Sequence, residues 1–135
     1  MSTSSSTPVD LHEIVAAGPY PLEAFNFVRE GLSYTARRVH GAGEQSHELD
    51  RHVSGRELCM GLRDFAIDQY GYLAPTVLRQ WRIRRTDDFG RIVFTLIEHG
   101  YMSKTDEDSL EDFCGVFDFG EEFAEDVLRR AIGRN

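Results

Sequence analysis

The chain has 135 residues, of which 41% are hydrophobic and 28% charged, a composition typical of one globular domain with its own core. Its formal net charge is −8 at pH 7, and no apolar run approaches the roughly 20 residues needed to cross a bilayer, so no membrane contact is predicted. Residues 1–9 lack the basic and apolar regions of a secretory signal. They are predicted to form a disordered tail before a single cytoplasmic domain over residues 10–135.

The charge is distributed unevenly along the chain. Residues 56–104 carry eight basic and six acidic side chains, whereas residues 105–135 carry three and ten. A phosphate backbone would be attracted to the first segment and repelled by the second.

Apolar residues at steps of three and four predict helices along most of the first hundred residues. The predicted helices cover residues 10–17, 21–39, 54–70 and 75–81, and a further helix runs from Thr86 or Asp87 to Gly100. Ser54 and Glu57 have the spacing of a capping box, and Gly71 and Gly100 are placed to end helices. A polar loop over residues 40–50 separates the second helix from the third.

After Gly100 the pattern changes to short strands. Residues 101–104 and 116–119 are predicted to pair as an antiparallel hairpin around an acidic loop, in which Ser109 starts a single helical turn. A last amphipathic helix is predicted over residues 121–132. The expected fold is therefore mainly α, with some β: a winged helix-turn-helix-like domain with a short antiparallel hairpin and additional N- and C-terminal helices.

Two parts of the sequence resemble known proteins. Ile83 in the turn, followed by the helix end Glu98-His99-Gly100-Tyr101, resembles the second half of winged-helix domains. More broadly, residues 20–119 resemble a small uncharacterised family known mainly from planctomycete and verrucomicrobial bacteria. The residues that carry this resemblance are His52-Val53-Ser54-Gly55, Glu57-Leu58, Thr86, Asp88-Phe89-Gly90, Ile92-Val93-Phe94, Asp108-Ser109, Asp112-Phe113 and Phe117-Asp118-Phe119. This chain has Arg82 where that family is expected to have glycine, and the resemblance implies no activity.

A cluster of arginines surrounds the predicted turn. The candidate nucleic-acid-binding residues are Arg79, Arg82, Arg84, Arg85 and Arg91. In a winged helix this turn and the next helix approach the major groove. Asp87 and Asp88 at the start of that helix would repel phosphates, and acidic residues are also typical of helix N-termini. A protein-docking face is therefore favoured over specific DNA binding.

The C-terminal third combines aromatic rings with an acidic run. The candidate partner-binding residues are Phe113, Phe117, Phe119, Asp106, Glu107 and Asp108. Two interpretations remain open: the rings, together with Phe123, seal the last helix onto the core, or some stay exposed to anchor a partner. In the second case the carboxylates would steer a basic protein surface towards the anchor.

The sequence contains no pattern specific for a metal, a cofactor or catalysis. His40, His47, His52 and Cys59 are separated by seven, five and seven residues, which matches no common zinc spacing. The acidic run lacks the ligand pattern of a calcium loop. Cys59 and Cys114 lie in apolar stretches and are interpreted as reduced thiols, although a disulfide between them remains open.

No metal or cofactor is therefore predicted, and an enzyme is disfavoured because no nucleophile–base or acid pair stands out. The leading hypothesis is a non-catalytic protein-interaction or adaptor domain with a protein partner. The alternative is a nucleic-acid-binding regulator that uses residues 79–91.

Overall fold

A computed structural model describes residues 1–3, 11–41 and 52–133, and in these ranges the chain is mainly helical, as the sequence predicted. The helices are α1 (Leu11–Ala17), α2 (Leu22–His40), α3 (Gly55–Tyr70), α4 (Ala74–Gln80), α5 (Thr86–Glu98), α6 (Phe119–Glu122) and α7 (Glu125–Ile132), with 3₁₀ turns at Gly71–Leu73 and Leu110–Phe113. Two short strands are β1 (Ser2–Thr3) and β2 (Met102–Ser103). None of the described helices is both long and apolar enough to cross a membrane.

Local sequence signals set the ends of the central helices. At the start of α3 the Ser54 hydroxyl accepts a hydrogen bond from the Glu57 amide at 3.1 Å, and the Glu57 carboxylate accepts one from the Ser54 amide at 3.0 Å. Gly71 ends this helix at φ 53° and Gly100 follows α5 at φ 84°. These are left-handed conformations in which glycine has no Cβ to clash. Most of the predicted polar loop, residues 42–50, lies outside the described residues.

The core forms where α2, α3 and α5 meet. Helices α2 and α3 approach closely at Gly61, where an added β-carbon would lie 1.9 Å from the Thr35 hydroxyl. The largest fully buried side chains come from all three helices and from the segments around them. They include Phe25, Leu32, Leu58, Leu62, Leu78, Ile83, Phe89, Ile92, Leu96 and Phe113.

The predicted hairpin between residues 101–104 and 116–119 is wrong. The strand at Met102–Ser103 forms, but it pairs antiparallel with Ser2–Thr3. Residues 116 and 117 form a bend, and Phe119 begins a helical turn. The backbone amide of Val116 instead donates to the Thr86 hydroxyl at 3.1 Å, so this segment is held by α5 rather than by a neighbouring strand.

The start of the chain also differs from the prediction of a disordered tail. Met1 is fully buried, its carbonyl accepts a hydrogen bond from the Val53 amide at 3.2 Å, and the Ser2 and Ser103 hydroxyls lie 2.7 Å apart. Residues 1–3 are therefore part of the folded unit. The rest of the predicted tail, residues 4–9, lies outside the described residues.

The C-terminal segment forms two helices where one was predicted. Asp118 caps α6 by accepting a hydrogen bond from the Glu121 amide at 3.0 Å. Ala124 then adopts an extended conformation, with ψ 149°, and the chain restarts as α7. The break lets Phe123 and Leu128 both turn inward, and they are 5% and 3% exposed.

The segment that leads to α6 covers one side of α5. The Thr86 hydroxyl donates to the Phe113 carbonyl at 2.6 Å, and a β-carbon at Gly90 would lie 2.7 Å from the Phe113 Cβ. On the other side of the same turn, a β-carbon at Gly55 would lie 2.8 Å from the Asp112 Cβ. Glycines at both positions therefore allow the turn Leu110–Phe113 to lie between α3 and α5.

Candidate docking surface

The turn between α4 and α5 has the hydrogen bonds of a Schellman motif. The Ile83 amide donates to the Leu78 carbonyl and the Arg82 amide to the Arg79 carbonyl, both at 2.9 Å. Leu78 and Ile83 make the apolar closure that accompanies this motif, and both are buried. Arg82 occupies the left-handed position at φ 65°, and it is the only described residue other than glycine with positive φ.

Asp88 fixes the second half of the turn. Its carboxylate accepts hydrogen bonds from the backbone amides of Arg84 and Arg85, at 2.9 and 3.2 Å, and from the Tyr20 hydroxyl and the Arg91 guanidinium. Burial alone would raise the pKa of this carboxyl, but the hydrogen bonds outweigh burial and hold the pKa below its ordinary value. Asp88 is therefore a structural anchor that determines where the neighbouring arginines lie.

Four of the five predicted arginines project from the last turn of α4 and from the turn that follows it. Arg79, Arg82, Arg84 and Arg85 are exposed, and none of them forms an ion pair with any residue that the structure describes. Arg91 differs, because its guanidinium lies 2.8 Å from the Asp88 carboxylate. The chain has 23 acidic side chains, so a group of four unpaired guanidiniums over residues 79–85 is a distinctive local surface.

The predicted aromatic candidates divide into buried and half-buried rings. Phe113 is 0% exposed and packs against Phe94, so the expectation that it contacts a partner is wrong. Phe117 and Phe119 are half-buried and stack on each other, with centroids 5.5 Å apart. Phe119 also packs edge-on against the buried Phe123 at 5.3 Å. The rings therefore seal α6 onto the core, and two of them keep an open edge; anchoring of a partner by these two rings stays a prediction.

The half-buried ring of Phe119 and the arginine cluster meet in one groove, here called the arginine groove. It has a volume of about 270 Å³ and is lined by Pro75, Arg79, Ile83, Arg84, Phe119, Gly120 and Phe123. Ile83 and Phe123 form a buried apolar floor, at 1% and 5% exposed. The groove therefore combines a hydrophobic floor with two unpaired cationic groups.

The acidic candidates lie elsewhere. Asp106 and Glu107 are exposed, and neither lines the arginine groove. Asp108 is 6% exposed and is occupied internally, because its carboxylate accepts hydrogen bonds from His52 at 2.8 Å and from the Thr105 amide at 2.9 Å. The prediction that Asp108 steers a partner is therefore wrong, and the acids do not surround the aromatic anchor.

A second cavity contains the combination of side chains closest to an enzyme site. It has a volume of about 400 Å³, and its lining includes His52, Asp108 and Cys114. The imidazole, however, is hydrogen-bonded to Asp108, and the Cys114 thiol donates to the Leu110 carbonyl. Desolvation and the nearby Asp87 carboxylate raise the pKa of that thiol, which opposes formation of the thiolate nucleophile.

The remaining thiol and the histidines also lack the geometry of a reactive site. Cys59 and Cys114 are both free, and burial raises the pKa of Cys59 to about 12. Within the described residues, no group of three or more His, Cys, Asp or Glu side chains is arranged to hold a metal ion. His47, one of the histidines considered for zinc, lies outside those residues.

Sequence reasoning found the two sides of the arginine groove separately and missed that they meet. Gly120 carried no recognised signal, Pro75 was recognised only as the start of a helix, Ile83 only as a packing residue in the turn, and Phe123 only as a member of the aromatic set. Only tertiary folding brings α6 against the turn at residues 81–85, and no local periodicity encodes that contact.

No protein-family model, curated protein or solved structure matches this chain. What the molecule does must therefore follow from the chemistry of its surface, since a helical fold class by itself selects no function.

Proposed function

We propose that the protein is a non-catalytic protein-interaction domain and that its partner docks in the arginine groove. The observation that carries this proposal is the coincidence of an apolar floor with two unpaired guanidiniums, Arg79 and Arg84, in one concave site. Binding hot spots typically combine a buried apolar or aromatic contact with arginine. Catalysis is not supported, because the groove contains no acid, base or nucleophile.

The lining defines the chemistry of the partner. An aliphatic or aromatic side chain would fill the space over Ile83 and Phe119, and flanking carboxylates would pair with the arginines. A guanidinium can bind a carboxylate through two parallel hydrogen bonds, so the pairing is directional. The partner is therefore an acidic protein segment, and not the basic surface that the sequence suggested.

Backbone strain at Arg82 supports a role for the arginine turn. A non-glycine residue in the left-handed region costs about 1–2 kcal/mol. A guanidinium is nevertheless kept at φ 65°, beside the groove and exposed to solvent. The same position is where the resembling bacterial family is expected to have glycine, which agrees with the conformation and supports the proposed relationship.

The alternative, a nucleic-acid-binding regulator, uses the same arginines but requires an open face on α5. Most of that helix is covered, and among its residues only Arg91 and Glu98 are exposed. A recognition helix needs several side chains free to reach base edges. The covering turn Leu110–Phe113 therefore disfavours major-groove recognition, and phosphate contacts by the turn alone would be non-specific.

We propose a helix-turn-helix description for the centre of the molecule, with α4 and α5 joined by residues 81–85. The predicted wing was a hairpin of residues 101–104 with 116–119; here β2 pairs antiparallel with β1 instead. The cytoplasmic location remains a prediction. The two free thiols support it, because thiols stay reduced in the cytoplasm.

The test is an NMR titration of the full chain with a random copolymer of glutamate and tyrosine, which supplies carboxylates and apolar rings together. We expect amide shifts at the lining residues Arg79, Arg84 and Phe119. Polyglutamate, which lacks an apolar side chain, should bind more weakly, and polylysine should not bind the groove. The double variant Arg79→Ser, Arg84→Ser should lose about tenfold or more in affinity.

The matched control is the double variant Arg129→Ser, Arg130→Ser, which removes the same charge from the exposed face of α7. Its affinity should stay close to that of the wild type. Equal loss in both variants would mean that only net charge matters, and the groove would be rejected. Tight, salt-sensitive binding of duplex DNA that requires Arg79 and Arg84 would favour the alternative.

A further inference from the structure

We infer that the arginine groove of one copy binds the acidic turn of a second copy, so that the protein self-associates. The acidic turn is defined as residues 106–112. This inference rests on the proposed docking function and names the occupant of the same groove. Its basis is that one chain presents both halves of a complementary pair, in which Arg79 and Arg84 of the groove and Glu107 and Glu111 of the turn have no internal ion-pair partner among the described residues.

The acidic turn carries side chains that complement the groove: an exposed leucine and two exposed carboxylates. Leu110 is 46% exposed, one of only a few large apolar side chains in the described residues with that degree of exposure. Glu107 and Glu111 are exposed around it and form no ion pair within the described part of the chain. The Ser109 amide donates to the Asp112 carboxylate at 3.0 Å, so the backbone that presents Leu110 is already folded as a 3₁₀ turn.

The two surfaces match in chemistry. Leu110 would lie over Ile83 and Phe119, while Glu107 and Glu111 would pair with Arg79 and Arg84. A preformed turn loses little conformational entropy on docking, which favours it over an unfolded acidic peptide. At physiological ionic strength, charges more than about 8 Å apart are screened, so the net charge of −8 on each copy opposes the contact only weakly.

The two surfaces are separate, so each copy can make two contacts. The residues that line the groove and those of the acidic turn have no member in common. Two copies that exchange both contacts reciprocally form a two-fold dimer, whereas a single contact between neighbours leaves a free groove and a free turn and forms larger rings or open chains. One leucine and two ion pairs make a small interface, with a dissociation constant expected at roughly micromolar to millimolar.

The test uses two variants of the full chain, each with one half removed. The groove variant is Arg79→Ser, Arg84→Ser, and the turn variant is Leu110→Gln, Glu111→Gln. Neither changes Asp108 or Asp112, which have structural hydrogen bonds. Sedimentation velocity over a concentration series should show the wild type forming dimers or larger assemblies as its concentration rises, and each variant remaining a monomer. An equimolar mixture of the variants should give a one-to-one heterodimer and nothing larger, because the single remaining contact joins an intact groove to an intact turn.

Several outcomes would overturn the inference: a wild type that stays monomeric at all concentrations, variants that still assemble alone, or a mixture without a heterodimer. The glutamate–tyrosine copolymer separates this failure from failure of the proposed function. If the copolymer binds the groove of a strictly monomeric wild type, docking of acidic segments stands and only the second copy is rejected as the occupant.

Discussion

At the scale of single residues, Arg82 has opposite effects on stability and on surface chemistry. Its left-handed backbone costs stability, and its exposed guanidinium adds a positive charge to the surface. Among the described residues, α4 and α5 end in Schellman motifs, and their left-handed residues are Arg82 and Gly100, at φ 65° and 84°. Glycine adopts this conformation without steric cost, whereas arginine must bring its Cβ close to the following carbonyl. The cost is tolerated in the turn that carries the unpaired arginines.

Replacing Arg82 with glycine should therefore leave the protein as stable as the wild type or more stable. We expect a gain of up to about 1 kcal/mol in the free energy of unfolding, since relief of strain exceeds the backbone entropy that glycine adds to the unfolded chain. Urea denaturation measures this change. The matched control is Arg79→Gly, the same substitution within α4, which should destabilise by about 0.5–1 kcal/mol. Equal destabilisation by both variants would contradict the account of strain.

At the scale of elements, the fold depends on the segment between β2 and α6 lying across α5. This segment has no strand partner and a single turn of 3₁₀ helix, so its position depends on the Thr86 hydroxyl and on space at Gly90. Thr86, Gly90 and Phe113 all lie at this contact, and packing explains their shared role.

Adding a methyl group at Gly90 should lift this segment from the helix. The β-carbon of Gly90→Ala would meet the Phe113 side chain at 2.7 and 2.9 Å, so the turn must move. We expect a loss of about 1–3 kcal/mol in the free energy of unfolding, together with faster amide hydrogen exchange at residues 110–117. Gly18→Ala is the control, since nothing lies within 4 Å of a β-carbon there. Unchanged exchange at residues 110–117 in Gly90→Ala would mean that the contact does not hold the segment.

Elements whose ends are encoded locally were predictable from the sequence, and elements that depend on distant contacts were not. Ser54 with Glu57, and Gly100 with Tyr101, define helix ends within a few residues. Strands of two residues contain almost no periodic signal, so the pairing of β2 with β1 had no local signature. The phenylalanines in residues 116–119 favoured a strand, but Phe119 packs on Phe89 at 5.8 Å instead.

At the scale of the whole molecule, the same distinction applies to the candidate site. The arginines were recognisable as a cluster because they are adjacent in sequence, and Phe119 was recognisable as an aromatic candidate. Their convergence depends on how α6 packs against the turn after α4. The sequence therefore identified which residues to consider, while the tertiary fold determined which of them face one another.

Two buried carboxylates connect distant parts of the molecule and should make its stability sensitive to acid. Asp88 accepts a hydrogen bond from Tyr20 in the segment between α1 and α2, and Asp108 accepts one from His52 before α3. Burial alone would raise the pKa of Asp108, but the hydrogen bonds from His52 and the Thr105 amide, with the positive charge of the Met1 amino group, hold it below the ordinary value. The pKa of Asp88 is lowered as well.

A carboxyl with a lowered pKa in the folded state binds fewer protons there than in the unfolded chain at moderately acidic pH. Its contribution to stability is therefore complete above the unfolded pKa of about 3.9, and it is lost as the pH falls through the folded pKa. Urea denaturation at a series of pH values should show stability falling steeply below about pH 4.

At neutral pH, Asp88→Asn and Asp108→Asn should each cost about 1.5–3 kcal/mol through weakened hydrogen bonds to a charged group, and this deficit should shrink in acid. Asp126→Asn, at a side chain 71% exposed on α7, is the control and should follow the wild-type profile. A deficit in the two buried-site variants that stays constant from neutral pH to pH 3 would show that neither carboxylate is responsible for the acid sensitivity.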